Sequence, residues 1–257
     1  MYIVNPEYLL YLCKLNDIKD SIARKVVEKE YLINYECKSL KVDFLLNIGT
    51  LEYKRYSLKN RINKTKRKIE LLKDIEYYEI NEINSMIEDE FENQNMIEKE
   101  MFDDINIAVE YSMKDQISQK KIDELNKNFS IIVRAYDPLL HKNASSKKTA
   151  LFETAKNAYA NGNNRLLKNY VDLIDNDDMI DQADIEVLKK EIVYYKNLLK
   201  ECIHMIRIIK NSFPYDQKLL LLDDDMIRRK KESLNNENIE LELELKKYEK
   251  KLEKMIG

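Results

Sequence analysis

Eight cationic side chains and no acid fall within residues 54–68, KRYSLKNRINKTKRK: Lys54, Arg55, Lys59, Arg61, Lys64, Lys66, Arg67 and Lys68. Such a stripe can track a phosphate backbone, and Tyr53 and Tyr56 offer faces on which bases stack. The chain also supplies a competing use for the charge. Residues 82–104 hold Glu82, Glu88, Asp89, Glu90, Glu92, Glu98, Glu100, Asp103 and Asp104 against one cation, Lys99. If the chain folds back about residue 76, position 68 lies opposite 84 and position 54 opposite 98. The acids then run beside the bases, as flanking charges do between paired helices. Internal neutralisation is the favoured expectation, and a nucleic-acid surface is the alternative.

Other chemistry finds little footing. There is no Gly-rich phosphate loop, no GxSxG and no HExxH, and the only histidines are His141 and His204. Cys202 and His204 are two apart, which on a helix points them to different faces, so they begin no closed metal-ligand set. DNDDMIDQADIE, residues 175–186, puts Asp175, Asp177, Asp181 and Glu186 at ligand positions of a calcium loop. Met179 and Ile180 stand where a further ligand and the turn glycine belong. The stretch reads instead as a polar connector whose last residues, from Asp184, cap the next helix. The expectation is a protein with no metal and no cofactor, and not an enzyme.

Long helices must carry these residues. The chain has 257 residues, 44% hydrophobic and 35% charged, with three Gly and three Pro. An ordinary domain has about 7% Gly and 5% Pro, so turns are few. The formal net charge of −3 selects neither nucleic acid nor membrane as a partner. Cys13, Cys37 and Cys202 are odd in number and scattered, which fits a reducing compartment. The N-terminal apolar run has no basic flank, no cleavage site and too few residues to span a bilayer. A cytoplasmic protein without a membrane segment is expected.

Pro6 opens a short first helix over about residues 6–14. Ile48, Arg55, Ile62 and Ile69 fall seven apart, as do Phe44, Leu51, Leu58, Thr65 and Leu72, a heptad seam over 41–72. A break at 73–79 leads to a helix with Ile80, Ile83, Ile87, Ile97, Met101 and Ile105 on one side, and the two helices are predicted to pair antiparallel. Gly49 falls inside the first of them, at a cost of roughly 1 kcal/mol relative to Ala, for close packing against a neighbouring helix or as a hinge. In the last third, Ile185, Ile192, Leu199 and Ile206 alternate with Leu188, Tyr195, Cys202 and Ile209. Beyond the turn SFPYD come Ile227, Leu234, Leu241, Tyr248 and Met255, with Leu245 and Leu252 between them and Lys231 and Asn238 interrupting. These two seams predict a second antiparallel coiled-coil hairpin.

Between the hairpins, ISQKKIDELNKNFSIIVRAY (117–136) reads as a helix capped by Ser118, with Ile122, Leu125, Phe129, Ile132 and Val133 buried. Pro138 ends it, because a residue before proline avoids the helical conformation. A second helix from Lys147 contains LFETAKNAYANGN, buries Leu151, Phe152, Ala155 and Tyr159, and stops at Asn161–Gly162. NNRLLKNYVDLI follows as a short third helix. Residues 117–174 resemble the J-domain of DnaJ-type co-chaperones: a helix ending in an aromatic, a loop with proline, and a helix carrying a Phe and an Ala-Tyr pair. The resemblance implies a J-like fold. In that family the loop carries His-Pro-Asp, needed to stimulate the ATPase of the partner chaperone DnaK. Here Asp137, Pro138 and Leu139 take its place and only the proline matches, so DnaK is not an expected partner. The basic partner-binding face of the family corresponds to Lys120, Lys121, Lys127 and Arg134, diluted by Asp123 and Glu124. The whole layout also resembles uncharacterised bacterial proteins with a degenerate J-like domain between coiled coils.

The sequence therefore predicts an all-α protein with two antiparallel coiled-coil hairpins flanking a small J-like unit. The expected domains are 1–112, 113–176 and 177–257. The favoured function is a non-enzymatic protein-interaction adaptor or scaffold, with homo-oligomerisation through the coiled coils left open. The alternatives are nucleic-acid binding through 54–68 and a divergent DnaJ-type co-chaperone.

Overall fold

A computed structural model describes residues 5–74, 80–114, 117–141, 144–174 and 184–256. The chain is all-α, with no strand among the described residues. In order, the helices are α1 (Pro6–Tyr31), α2 (Cys37–Phe44), α3 (Thr50–Leu71), α4 (Ile80–Glu90), α5 (Glu92–Ser112), α6 (Gln119–Tyr136), α7 (Ser146–Ala160), α8 (Asn164–Asp172), α9 (Ile185–Lys210), α10 (Lys218–Leu221) and α11 (Asp224–Ile256). Two π-helical turns, Leu32–Glu36 and Leu45–Gly49, separate the first three. Among the described residues, no helix is long and apolar enough to cross a membrane.

α1 runs well past residue 14, because Leu15, Ile22, Ala23, Val26 and Val27 extend its buried face. Asn5 starts it by accepting a hydrogen bond from the Glu7 amide at 2.9 Å, and Pro6 fills the first position, where an N–H would have no partner. Gly49 closes the second π-helical turn. A Cβ there would lie 3.0 Å from Cδ2 of Leu45, so the tight neighbour is its own preceding turn and not another helix.

The helices gather into two compact units, which divide the chain differently from the three domains expected. The first comprises Met1–Lys38 and Asp115–Asp216. In it, α6, α7 and α8 pack on one another, and α6 packs on α1. One core unites Ile22 and Val26 of α1, Leu125, Phe129 and Val133 of α6, Phe152 and Tyr159 of α7, Leu167 of α8 and Leu188 and Tyr195 of α9. Residues 113–176 are thus no separate domain, because α1 and α9 cover the apolar faces of the small helices. α1 and α9 also lie along each other and run parallel. Lys189 stands 5.3 Å from the Tyr11 ring, Lys19 4.8 Å from the Tyr195 ring, and Lys210 bonds Glu28 at 2.7 Å.

The second unit comprises Ser39–Lys114 and Gln217–Gly257. α11 runs parallel along α3: Asn238 donates to the Leu51 carbonyl at 3.1 Å, and Arg61 bonds Glu249 at 3.0 Å. α4 and α5 return antiparallel along α3. Lys68 meets Asn84 at 2.6 Å, Lys64 meets Glu88 at 3.0 Å, Asn60 meets Glu98 at 2.8 Å, and the rings of Tyr53 and Phe102 are 5.8 Å apart. Small apolar clusters pin the contact, among them Phe44, Ile48 and Leu234, and Leu58, Ile62 and Leu245. The predicted α9–α11 hairpin is therefore replaced: each seam is buried as expected, but α9 covers α1 and α11 covers α3. A heptad seam fixes which face is buried, not which helix buries it. Residues 75–79 of the break expected at 73–79, and 175–183 of the acidic stretch 175–186, lie outside the described residues.

Candidate interaction surfaces

The α6–α7 pair is built on aromatic packing. Phe129 stacks on Tyr159 with centroids 4.5 Å apart and lies 6.2 Å from Phe152. Leu151, expected in this core, is only half-buried. Tyr35 of the first π-helical turn donates its hydroxyl hydrogen bond to the Tyr159 carbonyl, and the Tyr159 hydroxyl reaches Asn126 Oδ1 at 2.5 Å. Burial pushes the Tyr159 phenol well above its ordinary value. Ser145 caps α7 through the Lys148 amide at 3.3 Å, whereas Ser118 precedes α6 without a side-chain cap bond. Gly162 ends α7 at φ 66°. There the Asn163 amide bonds the Ala158 carbonyl at 2.8 Å and the Gly162 amide bonds that of Tyr159 at 3.0 Å, the paired bonds that close a helix around a left-handed glycine.

The loop after α6 turns on Asp137. Its backbone carbonyl accepts from the Leu140 and His141 amides at 2.9 and 3.1 Å, and its Oδ1 accepts from the Leu139 amide at 2.9 Å. The residue is 2% exposed, and Oδ2 is buried without a hydrogen-bond partner among the described residues. Burial raises its pKa to about 6, against the pull of the Leu139 amide and of Lys29 and Lys156. His141 donates through Nε2 to the Arg134 carbonyl at 2.9 Å, and burial pushes its pKa down. Leu139 is exposed and Pro138 half-buried. Asp137 and His141 thus both spend hydrogen bonds on the turn itself.

A second buried acid, Glu30, lies nearby on α1. It meets Lys29 at 3.4 Å, Lys156 at 3.5 Å and the Asn34 amide at 3.2 Å. Sequence spacing did not single out Asp137 or Glu30 as buried. The signal for Glu30 was its place in phase with Ala23, Val26 and Val27; Asp137, in a loop, has no periodicity to give it away. Cys202 packs half-buried against the core, where burial raises its thiol, and His204 is exposed. Among the described residues, no three His, Cys, Asp or Glu side chains are placed to hold a metal ion.

The four cations assigned to a partner-binding face fare differently. Lys120, Lys121 and Lys127 are exposed on the outer side of α6. Arg134 is half-buried and held to α1, its Nε 2.6 Å from Asp20 and its NH2 3.0 Å from Asn16 Oδ1.

The basic run of α3 is paired within its own unit. Lys54 meets Glu242 at 2.7 Å and Arg61 meets Glu249 at 3.0 Å. Lys59 meets Glu237 at 2.7 Å and Lys66 meets Glu244 at 2.9 Å. These are two ladders in which each partner advances by seven residues, on the two sides of the α3–α11 contact. Arg55 also reaches Glu237, at 3.3 Å. On the other flank, Lys64 meets Glu88 at 3.0 Å and Arg67 meets Glu90 at 2.8 Å, while Lys68 bonds the Asn84 amide oxygen. The acids of 82–104 take part of the charge, but α11 supplies most of the partners. That signal was present in the sequence, because Glu237 and Glu244, and Glu242 and Glu249, repeat at the same interval as the cations.

Comparison with family models, with curated proteins and with solved structures finds no match for the chain.

Proposed function

We propose that the chain is a non-enzymatic protein-interaction adaptor or scaffold of the cytoplasm, in which α6–α8 form a degenerate J-like module. The observation that carries this reading is the inward turn of Asp137. It takes the first position of the loop that, in the resembling family, acts on the partner chaperone, and its carboxylate is buried and bonded to Leu139. The third position is the apolar Leu139. With Asp137 turned inward and Leu139 apolar, neither position offers what the His and the Asp of His-Pro-Asp supply, yet the packing aromatics keep the module folded and Lys120, Lys121 and Lys127 exposed. Nucleic-acid binding through α3 is the weaker reading, since its cations already have carboxylate or amide partners.

The test has two arms. The protein should leave the ATPase rate of a DnaK from the same cell at its basal value. Affinity purification from that cell should recover a partner that is lost with the Lys120→Glu, Lys121→Glu, Lys127→Glu variant and kept when Lys59 and Lys66 are replaced by Glu. Severalfold ATPase stimulation that Pro138→Ala abolishes would make the module a working co-chaperone instead.

A further inference from the structure

We infer that the second unit carries a self-association surface, in which α5 of one copy lies against α11 of another. This goes beyond the adaptor reading and does not depend on α6–α8. The ion-pair ladders use the α3-facing side of α11 and leave its outer side unspent. There Ile239, Leu243, Lys247, Lys250 and Lys254 recur at steps of four, four, three and four, which is one face of a helix. Ile239 and Leu243 are each 55% exposed, and the three lysines are exposed with no ion-pair partner among the described residues.

α5 shows a matching face of opposite sign. Met96, Glu100, Asp103, Ile107 and Glu110 follow at steps of four, three, four and three. Met96 is 54% and Ile107 62% exposed, and the three acids are exposed and have no cation partner among the described residues. Lys99 stands at the edge of this face. With two helices parallel and Met96 beside Leu243, Glu100 falls beside Lys247 and Asp103 beside Lys250. In that register Lys99, at the edge of the α5 face, comes level with Lys246 and Lys247, a like-charge approach beside the Glu100–Lys247 and Asp103–Lys250 pairs.

The directions within one copy allow the arrangement. α5 is antiparallel to α3 and α11 is parallel to it, so α5 and α11 are antiparallel to each other. A two-fold axis across the helices turns the second copy over and brings its α5 parallel to the first copy's α11, and it makes the contact twice. The repetition matters, because one helix-on-helix contact falls short of the roughly 1,200–2,000 Å² of a stable interface. A nucleic acid would satisfy the lysines but would leave Ile239, Leu243, Met96 and Ile107 in water and the acidic face unused. A second copy covers all of them.

Sedimentation of the nuclease-treated full chain tests this. At low salt its mass should exceed the 30.8 kDa of one chain and fall to that value as salt screens the surface charges. Replacing Lys247, Lys250 and Lys254 by Glu should give a monomer, as should Glu100→Lys with Asp103→Lys, each with wild-type helicity. Mixing the two variants should restore a one-to-one complex, since every α5 then meets an α11 of opposite charge. A wild-type monomer at low salt, or variants that associate as well as wild type, would overturn the inference. So would association that disappears with nuclease treatment, which would assign the lysines to a phosphate backbone.

Discussion

The phenol of Tyr195 on α9 donates to the carbonyl oxygen of Leu140 at 2.9 Å, a buried bond that ties the loop after α6 to a helix 55 residues further along the chain. Tyr195→Phe removes the donor and leaves that carbonyl without a hydrogen-bond partner among the described residues. The expected cost is about 1–3 kcal/mol, read as a lower denaturant midpoint, together with faster hydrogen exchange at the Leu140 and His141 amides. An unchanged midpoint would mean the loop is held by packing alone.

Asp137 gives the first unit a pH dependence of unusual sign. A carboxyl near its ordinary value of 3.8 in the unfolded chain and near 6 in the fold binds its proton more tightly when folded. Its contribution is therefore intact below about pH 4, falls as pH rises from about 4 to 6, and stays lost above that, by up to about 3 kcal/mol. Asp137→Asn keeps the acceptor for the Leu139 amide and removes the charge. Unfolding measured across pH should show a variant-minus-wild-type difference that moves in the variant's favour between pH 4 and 7. A difference that stays constant across that range would show that the carboxyl titrates normally.

Phe152 stands against Phe129 in the core of the α6–α7 pair. Truncation to Ala leaves a cavity that this rigid aromatic stack cannot fill, and about 3–5 kcal/mol of stability should be lost. Calorimetry checks it. A loss below about 1 kcal/mol would mean the stack closes up around the gap.

If α11 holds the cations of α3, removing its acids should release them. Glu237, Glu242, Glu244 and Glu249 together replaced by Gln should leave the helix content unchanged and create salt-sensitive binding to single-stranded DNA. Adding Lys59→Glu and Lys66→Glu should abolish it again. Absence of binding in the Gln variant would show that the α3 face is closed to polyanions by geometry and not by charge.

Gly162 ends α7 with φ 66°, and a Cβ there would come within 2.9 Å of Ile117 Cδ1. Gly162→Ala meets both the left-handed backbone and that contact, and should cost about 1–2 kcal/mol in thermal unfolding. A neutral result would place the helix end in another conformation.

The helix class was legible because turns are scarce and the seams keep their period. Leu188, Ile192, Tyr195 and Ile206 on α9, and Leu234 and Leu245 on α11, are buried as their spacing predicts. Their partners were not legible. Both seams could have closed on each other across SFPYD, and the choice of α1 and α3 rests on contacts some 180 residues apart in sequence. The ladders of Glu237 with Lys59 and Glu244 with Lys66 recorded that choice at a seven-residue interval, but a search confined to adjacent segments compares the wrong helices. The π-helical turns at Leu32–Glu36 and Leu45–Gly49 hid more. Each shifts the phase of the pattern, so the faces before and after it do not read as one period. The burial of Asp137 follows from the packing around its loop, for which a one-dimensional pattern has no mark.

The parallel pairing of α1 with α9 also sets an order of events at the ribosome. α1 leaves first, and the helix that runs beside it begins only at Ile185. At about 5–20 residues per second, that wait lasts roughly ten to forty seconds. During it, the face formed by Leu15, Ile22 and Val26 lacks α9, with α6–α8 covering part of it once they emerge. A nascent chain stalled before residue 185 should therefore bind chaperone holdases through α1 and release them when α9 has been made.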